Sequence, residues 1–163
     1  MKIYEAKKRN AMPGYRAHLV GGMAVYGLTL YLLRSYCGST FVAAEWLLFT
    51  LAGSLFPDID TKSKGQKFLY QILLIILIVL AIQRKFVIMA ILSVTAIIPI
   101  IARHRGIFHR WWFVIGLPAI VALIIAISAP QYTKIILFDA IFFIVGGISH
   151  LVMDFTVSYF KRL

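Results

Sequence analysis

Two histidines and three arginines stand within eight residues at Arg103–Arg110, R-H-R-G-I-F-H-R, between two long apolar runs. His104 and His109 are five apart, a poor match to one helical face. Gly106 between them permits a tight turn that folds both imidazoles toward one point. His18 stands early in the chain, Asp58 and Asp60 lie in L-F-P-D-I-D, and His150 and Asp154 lie in S-H-L-V-M-D. The last two are four residues apart and share a helical face. Neutral imidazole and carboxylate ligate Zn²⁺, Mn²⁺ or Fe²⁺ with no need of thiolate. The lone Cys37 excludes a multi-thiolate site. The seven candidate ligands are His18, Asp58, Asp60, His104, His109, His150 and Asp154. They exceed one tetrahedral set, so one or two divalent ions are expected, Zn first, with Mn or Fe as alternatives. Two neighbouring ions generate hydroxide at neutral pH and stabilise attacking and leaving oxygens together. Guanidinium offers no lone pair, so Arg103 and Arg105 are candidates for binding an anionic group, phosphate above all.

Each piece alone has a plainer explanation. Pro followed by Asp is ordinary turn chemistry, a histidine at a span end can bond a carbonyl, and a basic loop can face anionic lipid. None of these explains why the pieces fall together once the chain is laid across a bilayer. The 163 residues are 61% hydrophobic with a mean hydropathy of +0.89, too apolar for a soluble domain of this size. The expected fold is therefore all-α, one polytopic membrane bundle spanning 1–163. Six spans are expected: His18–Leu33, Phe41–Pro57, Phe68–Gln83, Phe86–Ala102, Trp111–Ser128 and Ile135 to about Phe155. The third and fourth either cross twice as a hairpin around Arg84-Lys85 or only dip in. The N-terminal basic stretch resembles the start of a signal peptide, but no small-residue cleavage site follows, so the first span is expected to be retained.

With six spans, 13 of the 17 Lys and Arg fall on one side, with both termini, and four on the other. The positive-inside rule makes the basic side cytoplasmic. The net charge of +11 thus reports topology rather than nucleic-acid binding. All four histidines and three of the four aspartates then lie at that same face, a result the charge count did not use. Convergence is expected if spans one, two, four and six bundle together. Glu45 and Asp139 lie a turn inside the opposite ends of spans two and six, close enough to the interface to be reached by water or to pair with Arg34 or Lys134, and a structural role is expected there. Trp46, Trp111, Trp112, Tyr132 and Tyr159 near span ends fit an aromatic belt.

The order H-L-V-G-G, L-F-P-D-I-D, H-R-G-I-F-H, S-H-L-V-M-D resembles the YdjM/YbcI-type membrane-bound metal-dependent hydrolases, a family grouped with zinc-dependent phospholipase C. The resemblance runs from His18 to Asp154. It implies that the seven histidines and aspartates form the metal site of an inner-membrane enzyme. Phe108 and Arg110 depart from the Thr and Ser that the family usually carries there. The expected function is hydrolysis of a phosphoester or ester in a lipid or lipid-linked substrate. An unligated Asp58 or Asp60 would act as general base, Arg103 and Arg105 would bind substrate, and membrane lipids would be the partners. A divalent-metal or proton transporter and a non-catalytic scaffold pinned by metal are the alternatives.

Overall fold

The computed structural model describes residues 14–60, 64–84, 86, 89, 90, 93 and 107–160. Among the described residues the α-helices with defined bounds are, in order, α1 Tyr15–Leu32, α2 Thr40–Leu55, α3 Lys64–Ile82, α4 Trp111–Ser128 and α5 Thr133–Phe160. No strand occurs among the described residues. Ser39 starts α2 by accepting a hydrogen bond from the Val42 amide at 3.3 Å, the usual way to satisfy an orphan N–H at a helix start. Pro57 stops it, because proline has no N–H to continue the i→i−4 ladder, although Phe56 before it keeps helical dihedrals. The chain then tightens into a 3₁₀ turn over Phe56–Asp60. Gln66 secures α3 to that turn by donating to the Ile59 carbonyl at 2.8 Å.

Among the described residues three segments are long and apolar enough to cross a membrane: Thr40–Ile59, Trp111–Ser128 and Pro130–Phe160. In α3 the apolar part is the shorter Gln66–Val79. Most of the expected fourth span, Phe86–Ala102, lies outside the described residues. α1 is 18 residues long, but Arg16, His18 and its glycines dilute its apolar character. α5 runs for 28 residues, about 42 Å at the helical rise, longer than the hydrocarbon layer of ~30 Å.

α5 is the central post. α1, α2 and α4 all pack on it, α2 most extensively, while α3 touches chiefly the 56–60 turn. The contact of α2 with α5 is close because small residues face one another. A Cβ on Gly146 would run into the Thr50 carbonyl oxygen, and one on Gly53 into that of Phe143. Such contacts are how helices associate in lipid, where no hydrophobic force draws them together. The polar residues point inward: His18, Thr50, Ser54, Asp139, Ser149 and His150 are all buried. The large apolar ones point out, as with Ile120, Leu123, Ile124 and Ile127 along α4. Hydrocarbon outside and polar groups inside is the arrangement that a bilayer stabilises.

The aromatic residues divide. Trp111, Trp112, Tyr132 and Tyr159 are exposed near helix ends. Trp46 is not part of any belt. It is 2% exposed and stacks on Phe138 and Phe142 at centroid distances of 5.1 and 4.6 Å. The large ring fills the space between α2 and α5 where no glycine holds the backbones together.

Candidate metal centre

The cluster forms where four segments meet at one end of the bundle. His18 comes from the first turn of α1, Asp58 from the 56–60 turn, His109 from the turn entering α4, and His150 and Asp154 from α5. The local sequence explains the approach. Gly22 lies four residues after His18, and Gly146 four before His150, on the same helical faces as those histidines. A Cβ on Gly22 would meet Ser54 Oγ at 2.9 Å, so α1 seats directly on α2. With the three helices this close, His18 and His150 stack with ring centroids 3.7 Å apart and planes 15° apart. His109 meets His150 edge-on at 5.5 Å.

His109 is held by its neighbour. Phe108 is buried, with its ring 5.6 Å from Phe56 and 5.1 Å from Phe113. The departure from the family pattern at this position is thus an apolar anchor that pins the turn to the 56–60 turn and to α4.

Hydrogen bonding around His150 fixes its chemistry. Nδ1 lies 2.8 Å from the Ser54 carbonyl oxygen. A carbonyl only accepts, so Nδ1 carries the proton, and in the neutral ring Nε2 presents a lone pair. Nε2 faces Asp154 Oδ2 at 3.3 Å and Asp58 Oδ1 at 3.9 Å. These carboxylate oxygens are acceptors too, so lone pairs face lone pairs. His18 Nε2 lies 3.5 Å from Asp154 Oδ1, and His109 Nε2 lies 3.7 Å from both Asp58 Oδ1 and Asp154 Oδ2. His150 Nε2 and Asp154 Oδ1 are buried with no hydrogen-bond partner despite this proximity. Buried polar atoms are as a rule hydrogen-bonded, so two exceptions at one point need a cause.

A shared cation supplies that cause. Ligands 2.0–2.2 Å from a tetrahedral ion stand about 3.3–3.6 Å apart, near the separations seen here. The ring proton of His150 is on Nδ1, so in the neutral ring none is left for the two approaches that its Nε2 makes. The donors form two groups, His18–His150–Asp154 and Asp58–His109–His150, each with its atoms within 4.8 Å of one another. Both groups use His150. Its Nε2 has one lone pair and can serve one ion, so the groups are overlapping views of a single five-residue set. The Ser54 carbonyl is the orienting partner that ligating histidines usually have.

Five of the seven candidate ligands are therefore brought together: His18, Asp58, His109, His150 and Asp154. Asp60 lies on the 56–60 turn beside them in sequence, and its side chain lies outside the described residues. His104, Arg103 and Arg105 also lie outside them. The bundle joins α1, α2 and α5 as expected, but the remaining described partner is α4, the fifth expected span. Sequence reasoning missed Ser54. Its part is played by a backbone carbonyl, which every residue type has, so no side-chain signal marks it.

The family described as YdjM inner membrane protein matches residues 12–160. The chain belongs to that family. It is an integral protein of the inner membrane, consistent with its three long apolar helical segments. No curated protein and no solved structure matches the chain.

Proposed function

We propose that this YdjM-family protein is a metal-dependent hydrolase acting on a phosphoester or ester of a lipid or lipid-linked substrate at the cytoplasmic face. The observation that carries the reading is the convergence of the Nε2 atoms of His18, His109 and His150 with the carboxylate oxygens of Asp58 and Asp154 at 3.3–3.9 Å. Three nitrogens and two carboxylates suit zinc, and also manganese or iron. A divalent ion bound there supplies Lewis acidity and lowers the pKa of water to near neutrality. His150, oriented by Ser54, and Asp154 one turn later hold the floor of the site. Asp60, the carboxylate left over on the 56–60 turn, accepts the proton of the attacking water. Arg103 and Arg105 bind the anionic part of the substrate through paired N–H donors. The sidedness rests on the 13-to-4 distribution of Lys and Arg over six spans with both termini inside.

Exposure favours catalysis over a purely structural ion. The side chains of His18 and His150 are 1% and 0% exposed, but those of His109, Asp58 and Asp154 are 29%, 21% and 17% exposed. Structural zinc sites are closed, while catalytic ones keep an open position. A transporter would need polar groups continuing through the bundle. Phe142 and Phe143 instead lie along α5 between this cluster and Asp139. The test is elemental analysis of the purified protein, followed by turnover of a phosphodiester lipid before and after chelation. Bound divalent metal with chelator-sensitive turnover is expected. Metal without turnover on phosphoester or ester lipids would leave a scaffold, and no metal at all would overturn the reading.

A further inference from the structure

The five donors divide by what carries them. His18, His150 and Asp154 stand on α1 and α5, helices that pack on each other and on α2. The two histidines of this half are buried. Asp58 and His109 stand on turns instead, and they form the more open half of the site.

Each turn carries a phenylalanine close to its ligand and aims it elsewhere. The 56–60 segment has three residues per turn, so Phe56 and Asp58, two apart, point to different sides. The Arg110 amide donates to the Ile107 carbonyl at 3.0 Å, which closes a four-residue turn with Phe108 and His109 at its centre. Phe108 is buried there, while His109 stays partly exposed at the cluster. Phe56 and Phe108 then meet edge to face, with ring centroids 5.6 Å apart and planes at 72°. Phe113 of α4 packs edge-on to Phe108 at 5.1 Å, and Phe143 of α5 packs edge-on to Phe56 at 5.3 Å. Edge-to-face contact is a favoured arrangement of aromatic rings. On the same two turns Asp58 Oδ1 and His109 Nε2 stand 3.7 Å apart.

We infer that Phe56 and Phe108 are a positioning pair that presents Asp58 and His109 to a metal ion as one unit. The inference rests on the reading of the cluster as a metal centre. Neither ring is a ligand, and each acts through the donor beside it. His18, His150 and Asp154 form the fixed half of the site, and the two turns form a half that can part. Ligands held together before binding lose less conformational freedom when the ion arrives. Breaking the ring contact therefore weakens binding and speeds release with all five donors still present.

The experiment uses the full chain in lipid nanodiscs with zinc as the probe. Equilibrium titration gives affinity, transfer of zinc to excess chelator gives the release rate, and thermal unfolding of the metal-free protein gives stability. Phe56→Ala and Phe108→Ala should each weaken zinc binding about tenfold and speed release to match, the equivalent of one lost aromatic pair. The double variant should bind zinc no more weakly than either single one, because the first substitution already breaks the contact. Stability of the metal-free protein should instead fall further in the double variant, since each ring leaves a cavity of its own. Phe56→Leu and Phe108→Leu fill part of the space and should weaken binding only about threefold, again without adding. That milder set decides the matter if the Ala variants fail to fold. Phe142 lies eight residues before His150 and stacks on Trp46. Phe142→Leu should therefore lower the Tm and leave zinc affinity unchanged. Unchanged affinity in the Phe108 variants, effects that multiply in the double variants, or an equal loss of affinity in Phe142→Leu would each overturn the positioning pair and leave the metal centre standing. A wild-type protein that takes up no zinc, manganese or iron would remove the metal centre itself, and the pair with it.

Discussion

His150 is the residue on which both ligand groups depend, since its Nε2 faces Asp58 and Asp154 while its Nδ1 is held by the Ser54 carbonyl. Replacing His150 with Ala should abolish metal binding and lower stability by about 2–5 kcal/mol, because it opens a cavity and strands two carboxylates together. Metal content and thermal unfolding of the variant check this. Ser54→Ala gives the contrasting result. The orienting group is a backbone carbonyl, and the Ser54 hydroxyl is occupied with the Leu51 carbonyl at 2.8 Å. Metal content should therefore stay within twofold of the wild type, and stability should change by about 1 kcal/mol or less. Loss of metal in Ser54→Ala would mean that the side chain takes part. On the substrate side, Arg103→Lys and Arg105→Lys keep the charge but lose the planar fork. Each should retain metal while turnover falls about tenfold or more, and full activity in the double variant would remove the arginines from the mechanism.

At the scale of elements, the site exists because glycines let three helices approach backbone to backbone. Gly146 is the sharpest case. A Cβ there meets the Thr50 carbonyl oxygen, which is main chain and cannot swing away. Gly146→Ala should force α2 and α5 apart, costing about 1–3 kcal/mol or more as overpacking does. The Ser54 carbonyl and His150 would then separate as well. Metal affinity should fall although no ligand has been changed, which equilibrium metal titration can measure. Gly116 offers the control. Nothing lies within 4 Å of its Cβ position, so Gly116→Ala should leave both stability and affinity near wild type or slightly raise stability. Equal behaviour of the two variants would show that close approach of α2 to α5 is not what sets the ligand geometry.

For the whole molecule, an ion that ties four segments together should couple metal binding to folding. Whatever binds only the folded state stabilises it, by about 2.7 kcal/mol when present at 100 times its dissociation constant. Chelation should lower the Tm by several degrees, and zinc, manganese or iron should restore it. An unchanged Tm would mean that the cluster holds no ion in the folded protein. Sidedness is testable on a Cys37-free background with single cysteines at positions 63 and 106. Both should label from the cytoplasmic side, and labelling only from outside would reverse the proposed topology.

The sequence by itself determined that this protein lives in a membrane, that it is helical, and which residue types gather at one end. Hydropathy and span length are local properties, and the arithmetic of charges along the chain needs no contacts. It also showed that His150 and Asp154 share a face, because a helix fixes that spacing. The tertiary structure alone decided what those residues do to one another. The overlap of the ligand groups at His150, the orienting carbonyl of Ser54 and the anchoring of His109 by Phe108 all follow from helices meeting at glycine contacts. The same holds for the acids at the far end. Asp139 was within sequence reach of Lys134, but helix packing buries it, and among the described residues it makes no ion pair. Pairwise sequence spacing limits which contacts are possible, but the packing of segments distant in the chain chooses among them.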